Sequence, residues 1–138
     1  MAKIAVRYCT RTGHSKQLAE SVAAALGLEA KDVSEGLDEP VDQLFLCNGM
    51  YAFSLDRALK DFLEISGKDA GEIINVCSSA SGRSTRKALL KLADAYSFNL
   101  SSREFRCKGA YHFMAKGHPD EDDLRAAANF AIVTAKKR

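Results

Sequence analysis

The chain has 138 residues, 46% of them hydrophobic and 28% charged, and a net charge of +2 at pH 7. This length and balance fit one globular domain, residues 1–138, with a sizeable core, and so mild a charge does not favour nucleic-acid binding. No window approaches the roughly 18 uninterrupted apolar residues of a membrane span, and the first residues lack the apolar stretch of a signal peptide. We therefore expect a cytoplasmic protein that binds neither nucleic acid nor a membrane.

Short apolar runs and helical periodicities alternate along the chain. The run at 4–6 is typical of a strand, whereas Leu18, Val22 and Leu26 recur at every fourth residue, which predicts a helix that faces a core. In chain order the predicted elements are a strand within 3–9, a helix over 15–26, strands within 28–33 and 43–47, a helix from about 55 to 67, a strand within 72–77, a helix over 84–96, a strand within 103–107 and a last helix opened by His118-Pro119.

This alternation predicts an α/β fold in which helices cover both faces of one parallel sheet, a three-layer sandwich. The first, third and fourth strands are unbroken apolar runs, as expected when both faces are covered. The second and fifth strands contain charges, as expected at the edges of a sheet. The sequence therefore predicts a five-stranded parallel sheet of order 2-1-3-4-5, with a ligand crevice at the carboxyl ends of the strands.

The stretch from Thr10 to Ser15 joins the first predicted strand to the first helix. It offers three hydroxyl groups, and Gly13 allows a close approach of the backbone. A helix N-terminus favours an anion, so the stretch is typical of a phosphate-binding turn with neutral donors, although neither the Walker pattern nor G-x-G-x-x-G is present. The alternative is an ordinary helix cap, for which one hydroxyl would suffice.

At these residues the sequence resembles the flavodoxin family, whose phosphate loop reads T/S-x-T-G-N-T/S. Three further stretches extend the resemblance over nearly the whole chain: "LFLCNGMYAFSLDRALKDFLE" at 44–64, "INVCSSASGR" at 74–83 and "FRCKGAYHFMAKGHPDEDDLRAAANFA" at 105–131. His14 stands where the family usually has Asn, and Cys47 and Gly49 stand where Gly and Pro are common. The loop at 78–82, within the stretch at 74–83, has no aromatic residue.

The resemblance implies that the chain binds FMN without covalent attachment. It assigns the phosphate to Thr10, Arg11, Thr12, Gly13, His14 and Ser15. It assigns the flavin ring to Tyr51, which would stack on or flank it, together with Met50, Ala52 and Phe53 along the same edge. It assigns the pyrimidine side of the ring to backbone groups of Ser78, Ser79, Ala80, Ser81 and Gly82. The alternatives are that Tyr51 and Phe53 simply cover the end of the sheet, and that residues 78–82 form a plain flexible loop.

Four cysteines lie at the ends of the first, third, fourth and fifth predicted strands: Cys9, Cys47, Cys77 and Cys107. No C-x-x-C pair is present, so the pattern does not indicate a metal site, and without a secretory signal we expect free thiols. Cysteine packs well as a small buried residue, and this interpretation competes with a redox-active thiol beside a flavin.

The resemblance implies an FMN-dependent electron carrier that shuttles one or two electrons between redox protein partners, as a monomer or a weak dimer. No arrangement of residues indicates a catalytic acid, base or nucleophile. The alternatives are an FMN-dependent reductase of a quinone or another small acceptor, and a flavin-free domain that serves as a binding module.

Overall fold

The structure, a computed structural model, describes residues 2–10, 13–49, 55–79, 84–108 and 119–136. Their strands are β1 (Ile4–Tyr8), β2 (Ala30–Asp32), β3 (Val41–Gly49), β4 (Ala70–Ser79) and β5 (Leu100–Lys108). Their helices are α1 (His14–Leu26), α2 (Arg57–Ser66), α3 (Arg86–Tyr96) and α4 (Glu121–Thr134), with short 3-10 turns at Val33–Glu35 and Gly67–Asp69.

The strands form one five-stranded sheet of order β2-β1-β3-β4-β5, and every pair is parallel. This confirms the predicted fold class and strand order. Since parallel strands run in one direction, the carboxyl ends of all five strands meet at one edge of the sheet.

Side chains alternate between two core layers. Phe45 and Cys47 of β3 lie in the layer beneath α1 and α4, whereas Leu44 and Leu46 lie in the layer beneath α2 and α3. All four side chains are fully buried, so β3 is covered on both faces. The unbroken apolar run that predicted a central strand therefore has the expected physical origin.

Two strand boundaries differ from the sequence prediction. β2 begins at Ala30 rather than at Leu28, because Gly27 adopts a left-handed conformation and the Leu28 N–H donates to the Ala23 carbonyl, which makes Leu28 part of the helix end. β5 begins at Leu100 rather than at residue 103, and its register with β4 is irregular between Ile73 and Asn75. The charges of β5 are tolerated because it is an edge strand.

The end of α4 is fastened to the centre of the sheet by one buried side chain. Gln43 of β3 is 2% exposed, its Nε2 donates to the Thr134 carbonyl at 3.2 Å, and its Oε1 accepts from the Lys136 N–H at 2.7 Å. Gln43 thus pairs the Thr134 carbonyl, which the end of the helix leaves without an intrahelical partner, and also holds the backbone just beyond the helix. Among the described residues, no helix is long and apolar enough to cross a membrane.

We predict that Gln43→Ala lowers the free energy of unfolding by about 1–3 kcal/mol, because it leaves a buried carbonyl without a donor. Urea denaturation followed by circular dichroism measures the change. Gln17→Ala is the matched control, because Gln17 is exposed on α1 and its truncation should change stability by less than about 0.5 kcal/mol. Equal losses in the two variants would contradict this account of how α4 is held.

Candidate functional site

The turn between β1 and α1 is closed by a hydroxyl group. The Gly13 N–H donates to Thr10 Oγ1 at 2.9 Å, and the Gly13 carbonyl accepts from the Gln17 N–H at 3.0 Å as the helix begins. Gly13 is the N-cap residue of α1 with φ of 90°, a left-handed conformation that residues with a side chain adopt at a cost. The glycine and the threonine of the predicted phosphate turn are thus both used to shape it.

The amino end of α1 is not neutralised by its own side chains. No acidic residue lies in the first turn, and the N-cap provides no side-chain hydrogen bond. The N–H groups of a first turn have no intrahelical acceptors, and the helix dipole adds a partial positive charge there. The exposed Lys16 adds a full positive charge in the same turn. This helix end therefore favours an anion.

One buried hydroxyl in this turn is left unpaired. Ser15 is 1% exposed, and its Oγ finds no hydrogen-bond partner in the part of the chain that the structure describes. A buried polar atom without a partner usually costs about 1–3 kcal/mol, so such an atom calls for an explanation. A ligand acceptor at the amino end of α1 would provide one.

Gly49 brings this hydroxyl close to the ends of β3 and β4. A Cβ at Gly49 would stand 2.9 Å from the Ser78 carbonyl oxygen, and 3.8 Å from both Ser15 Oγ and Ser78 Oγ. Gly49 and Ser78 are register partners at the last described residues of the β3–β4 ladder. Because Gly49 has no side chain, the ends of β3 and β4 and the first turn of α1 can lie close together, with the hydroxyl groups of Ser15 and Ser78 near one another.

The predicted site residues fall into two sets, those that the structure describes and those outside the described residues. The described ones are Thr10, Gly13, His14, Ser15, Ser78 and Ser79. Those outside the described residues are Arg11, Thr12, Met50, Tyr51, Ala52, Phe53, Ala80, Ser81 and Gly82. Of the described set, the structure brings the predicted phosphate turn and the start of the third predicted loop together, through Ser15 and Ser78 on either side of Gly49.

Sequence reasoning missed a second group of residues at this end of the sheet, on the face covered by α3. Asn48, Asn75 and Thr85 are fully buried and hydrogen-bonded to one another. The available signal was the asparagine within each of two apolar runs, "LFLCNG" and "IINVC". Because a buried amide must find partners, an asparagine inside a central strand indicates a polar network.

The four cysteines are free thiols that the sheet divides into two groups. Cys47 and Cys107 lie in the layer beneath α1 and α4, and Cys9 lies in the opposite layer. Cys77 Sγ lies 3.9 Å from Ser84 Oγ, at the approach to α3. The cysteines therefore do not form one cluster at the strand ends.

Burial keeps three of these thiols, those of Cys47, Cys77 and Cys107, protonated. Desolvation raises the pKa of Cys47 far above its usual range and raises the pKa of Cys77. Desolvation and the nearby Asp123 carboxylate raise the pKa of Cys107 to about 12. Since the thiolate is the reactive form, these features support the interpretation of the cysteines as small buried residues. The described residues include no group of His, Cys, Asp and Glu that could hold a metal ion.

No protein-family model matches the sequence, and no curated protein matches it either. The fold, in contrast, resembles solved structures over almost its whole length. A flavodoxin from the domain Archaea superimposes with a TM-score of 0.71 at 10% identity, over 95% of this chain and 94% of that one. Flavodoxin 1 from Bacillus cereus gives a TM-score of 0.71 at 12% identity, over 98% and 100% of the two chains.

Flavodoxin 2 from Bacillus cereus gives a TM-score of 0.67 at 17% identity, over 95% of this chain and 96% of that one. At sequence identities this low, the superpositions show that the folds are similar and say nothing about the sites. The strand order, the parallel pairing and these superpositions agree with the family that the Thr10–Ser15 motif resembles. The chain has a flavodoxin-like α/β fold.

Proposed function

We propose that this chain is a flavodoxin-type protein that binds FMN and carries electrons between redox proteins. The observation that carries the proposal is the unpaired, buried Ser15 hydroxyl in the first turn of a helix without acidic residues. Phosphate oxygens are strong acceptors of hydrogen bonds and carry negative charge. A phosphate at this turn would therefore satisfy both the hydroxyl and the helix dipole.

The described residues fit the phosphate end of FMN. Thr10 and Gly13 hold the turn in shape, and Ser15 supplies a donor whose bond to the ligand replaces no existing bond among the described residues. Gly49 keeps the space beside that donor free of a side chain. Bound FMN would supply the one- or two-electron chemistry, and the chain would supply its binding and orientation. The residues predicted to contact the ring, Tyr51 among them, remain part of the proposal.

We predict that purified protein binds FMN and that Ser15→Ala weakens this binding by about tenfold to a hundredfold, because a hydrogen bond to a charged group is lost. Riboflavin has no phosphate, so its affinity should stay the same. Fluorescence titration with both flavins measures the two dissociation constants. Without ligand, Ser15→Ala should be at least as stable as wild type, because the variant removes an unpaired buried hydroxyl.

Ser21→Ala is the matched control on the same helix. Ser21 Oγ donates to the Leu124 carbonyl at 2.7 Å and lies on the α4 side of α1, so its loss should lower stability and leave FMN affinity unchanged. If Ser15→Ala binds FMN as wild type does, the phosphate is not read by this hydroxyl. If wild-type protein binds neither flavin, the proposed function is wrong. If it binds FMN and itself oxidises NAD(P)H, the reductase alternative replaces the carrier.

We predict that Gly49→Ala weakens the binding of both FMN and riboflavin. The new methyl group would meet the Ser78 carbonyl at 2.9 Å, so the ends of β3 and β4 must separate. Gly71→Ala is the control, since its methyl group would meet the Asp42 carbonyl at 2.7 Å at the opposite end of the same strand pair. Both variants should lose stability, but only Gly49→Ala should lose flavin affinity. Equal losses of affinity would show that the strand ends play no special part.

We predict that the described thiols take no part in electron transfer. Because its pKa is raised to about 12, the thiol of Cys107 should react with iodoacetamide at a rate that still rises with pH above about 9, where an ordinary thiol levels off. Mass spectrometry of peptides from protein alkylated at a series of pH values gives these rates, and denatured protein is the control. A plateau near neutral pH would identify a reactive thiolate and contradict this assignment.

A further inference from the structure

A chain of hydrogen bonds crosses the α3 face of the sheet near the carboxyl ends of its strands. Thr85 Oγ1 donates to Asn48 Oδ1 at 2.7 Å and also lies 3.3 Å from Asn75 Oδ1. Asn48 Nδ2 donates to Asn75 Oδ1 at 2.8 Å and to the Leu46 carbonyl at 3.0 Å. Asn48, Asn75 and Thr85 all have 0% exposure, so water does not compete for the bonds among their side chains.

The chain of bonds continues to the edge strand. Asn75 Nδ2 donates to Glu104 Oε1 at 3.1 Å, and Ser84 Oγ donates to the same oxygen at 2.9 Å. Ser84 Oγ in turn accepts from the Arg86 N–H at 2.9 Å. We call this set, Asn48, Asn75, Ser84, Thr85 and Glu104, the asparagine network. It joins β3, β4, β5 and the start of α3.

The Thr85 hydroxyl makes hydrogen bonds to this network and not to the first turn of α3. It occupies the N-cap position of α3, where a threonine side chain commonly accepts from an N–H of the first turn, yet it makes no side-chain cap hydrogen bond. Its hydroxyl is directed to the two asparagines. Using a cap residue in this way fixes where α3 begins relative to the ends of β3 and β4.

The positions of the network members in the chain give it a specific consequence. Asn48 lies two residues before segment 50–54, and Thr85 lies two residues after segment 80–83. The proposed function assigns the flavin ring to residues 50–53 and 78–82, which overlap these two segments. Buried, fully paired polar networks fix their members closely, because any displacement leaves a polar group unpaired.

We propose that the asparagine network is the positioning device for the ring-binding half of the site, because it sets the separation of the end of β3 from the start of α3. Asn48 and Thr85 are positioning residues, because they are buried beneath the strand ends and act through the neighbouring loops. This inference rests on the proposed function and divides the site into two halves. Residues on the α1 face of the sheet would bind the phosphate, and the network on the α3 face would position the flavin ring.

The test compares FMN with riboflavin in Thr85→Val, which keeps the shape of the side chain and removes the hydroxyl. Thr85→Val should weaken the binding of both flavins by the same factor, about tenfold, because only ring contacts are disturbed. The ratio of the two affinities should stay at its wild-type value, whereas Ser15→Ala should change that ratio. Thr85→Ser retains the hydroxyl and should restore wild-type binding of both flavins.

Two further variants separate positioning from simple destabilisation. Gln43→Ala removes a buried pair of hydrogen bonds of the same kind at the other end of β3, and its flavin affinities should equal those of wild type. Glu104→Gln keeps an acceptor for Asn75 and Ser84 and should bind flavin better than Glu104→Ala. The proposal is overturned if Thr85→Val binds both flavins as tightly as wild type, or if it loses no more affinity than Gln43→Ala.

A further measurement tests the network even if the proposed function is wrong. If the wild-type protein binds no flavin, the amide resonances of the ligand-free protein test the coupling itself. Thr85→Val should then shift the amide resonance of Gly49, on the far side of the network, while Gln43→Ala leaves it in place. An unchanged Gly49 resonance in Thr85→Val would show that the network does not link the two strand ends.

Discussion

The close approach of β3 and β4 at their carboxyl ends is the constraint on which the site depends. Parallel pairing brings all strand ends to one edge. A Cβ at Gly49 would stand 2.9 Å from the Ser78 carbonyl oxygen, so any other residue at this position would force the two strand ends to shift. With the strands this close, the first turn of α1 can lie directly over their ends. The glycine at this position therefore has a steric reason.

At this edge, the two faces of the sheet differ in whether their buried polar groups have hydrogen-bond partners. On the α1 face the Ser15 hydroxyl is buried without a partner among the described residues. On the α3 face the two asparagines and Thr85 are buried with their polar atoms paired. A paired network holds its members still, whereas an unpaired donor is available to a ligand. In the proposed function, the difference therefore separates the part of the edge that fixes the strand ends from the part that would contact a phosphate.

The fold could be predicted from the sequence because two simple patterns agree. Apolar runs in the central strands and charges in β2 and β5 determine which strands are covered, and the alternation with helices determines that they are parallel. The start of β5 could not be predicted, because an irregular register with β4 extends the strand to Leu100. The asparagine network was also missed. An asparagine within each of two apolar runs indicated a buried polar group, but the partners lie 27 and 37 positions away in the chain, and no local pattern identifies them.

The unpaired Ser15 hydroxyl links stability to binding. In the ligand-free protein it carries a cost of about 1–3 kcal/mol, which an alanine at the same position would avoid. A ligand that binds only the native state and accepts from this hydroxyl removes the cost and adds its own binding free energy to the stability of the fold. The unpaired buried group of the described site is therefore also the one whose pairing would contribute most to binding a ligand at this turn, as the proposed function requires.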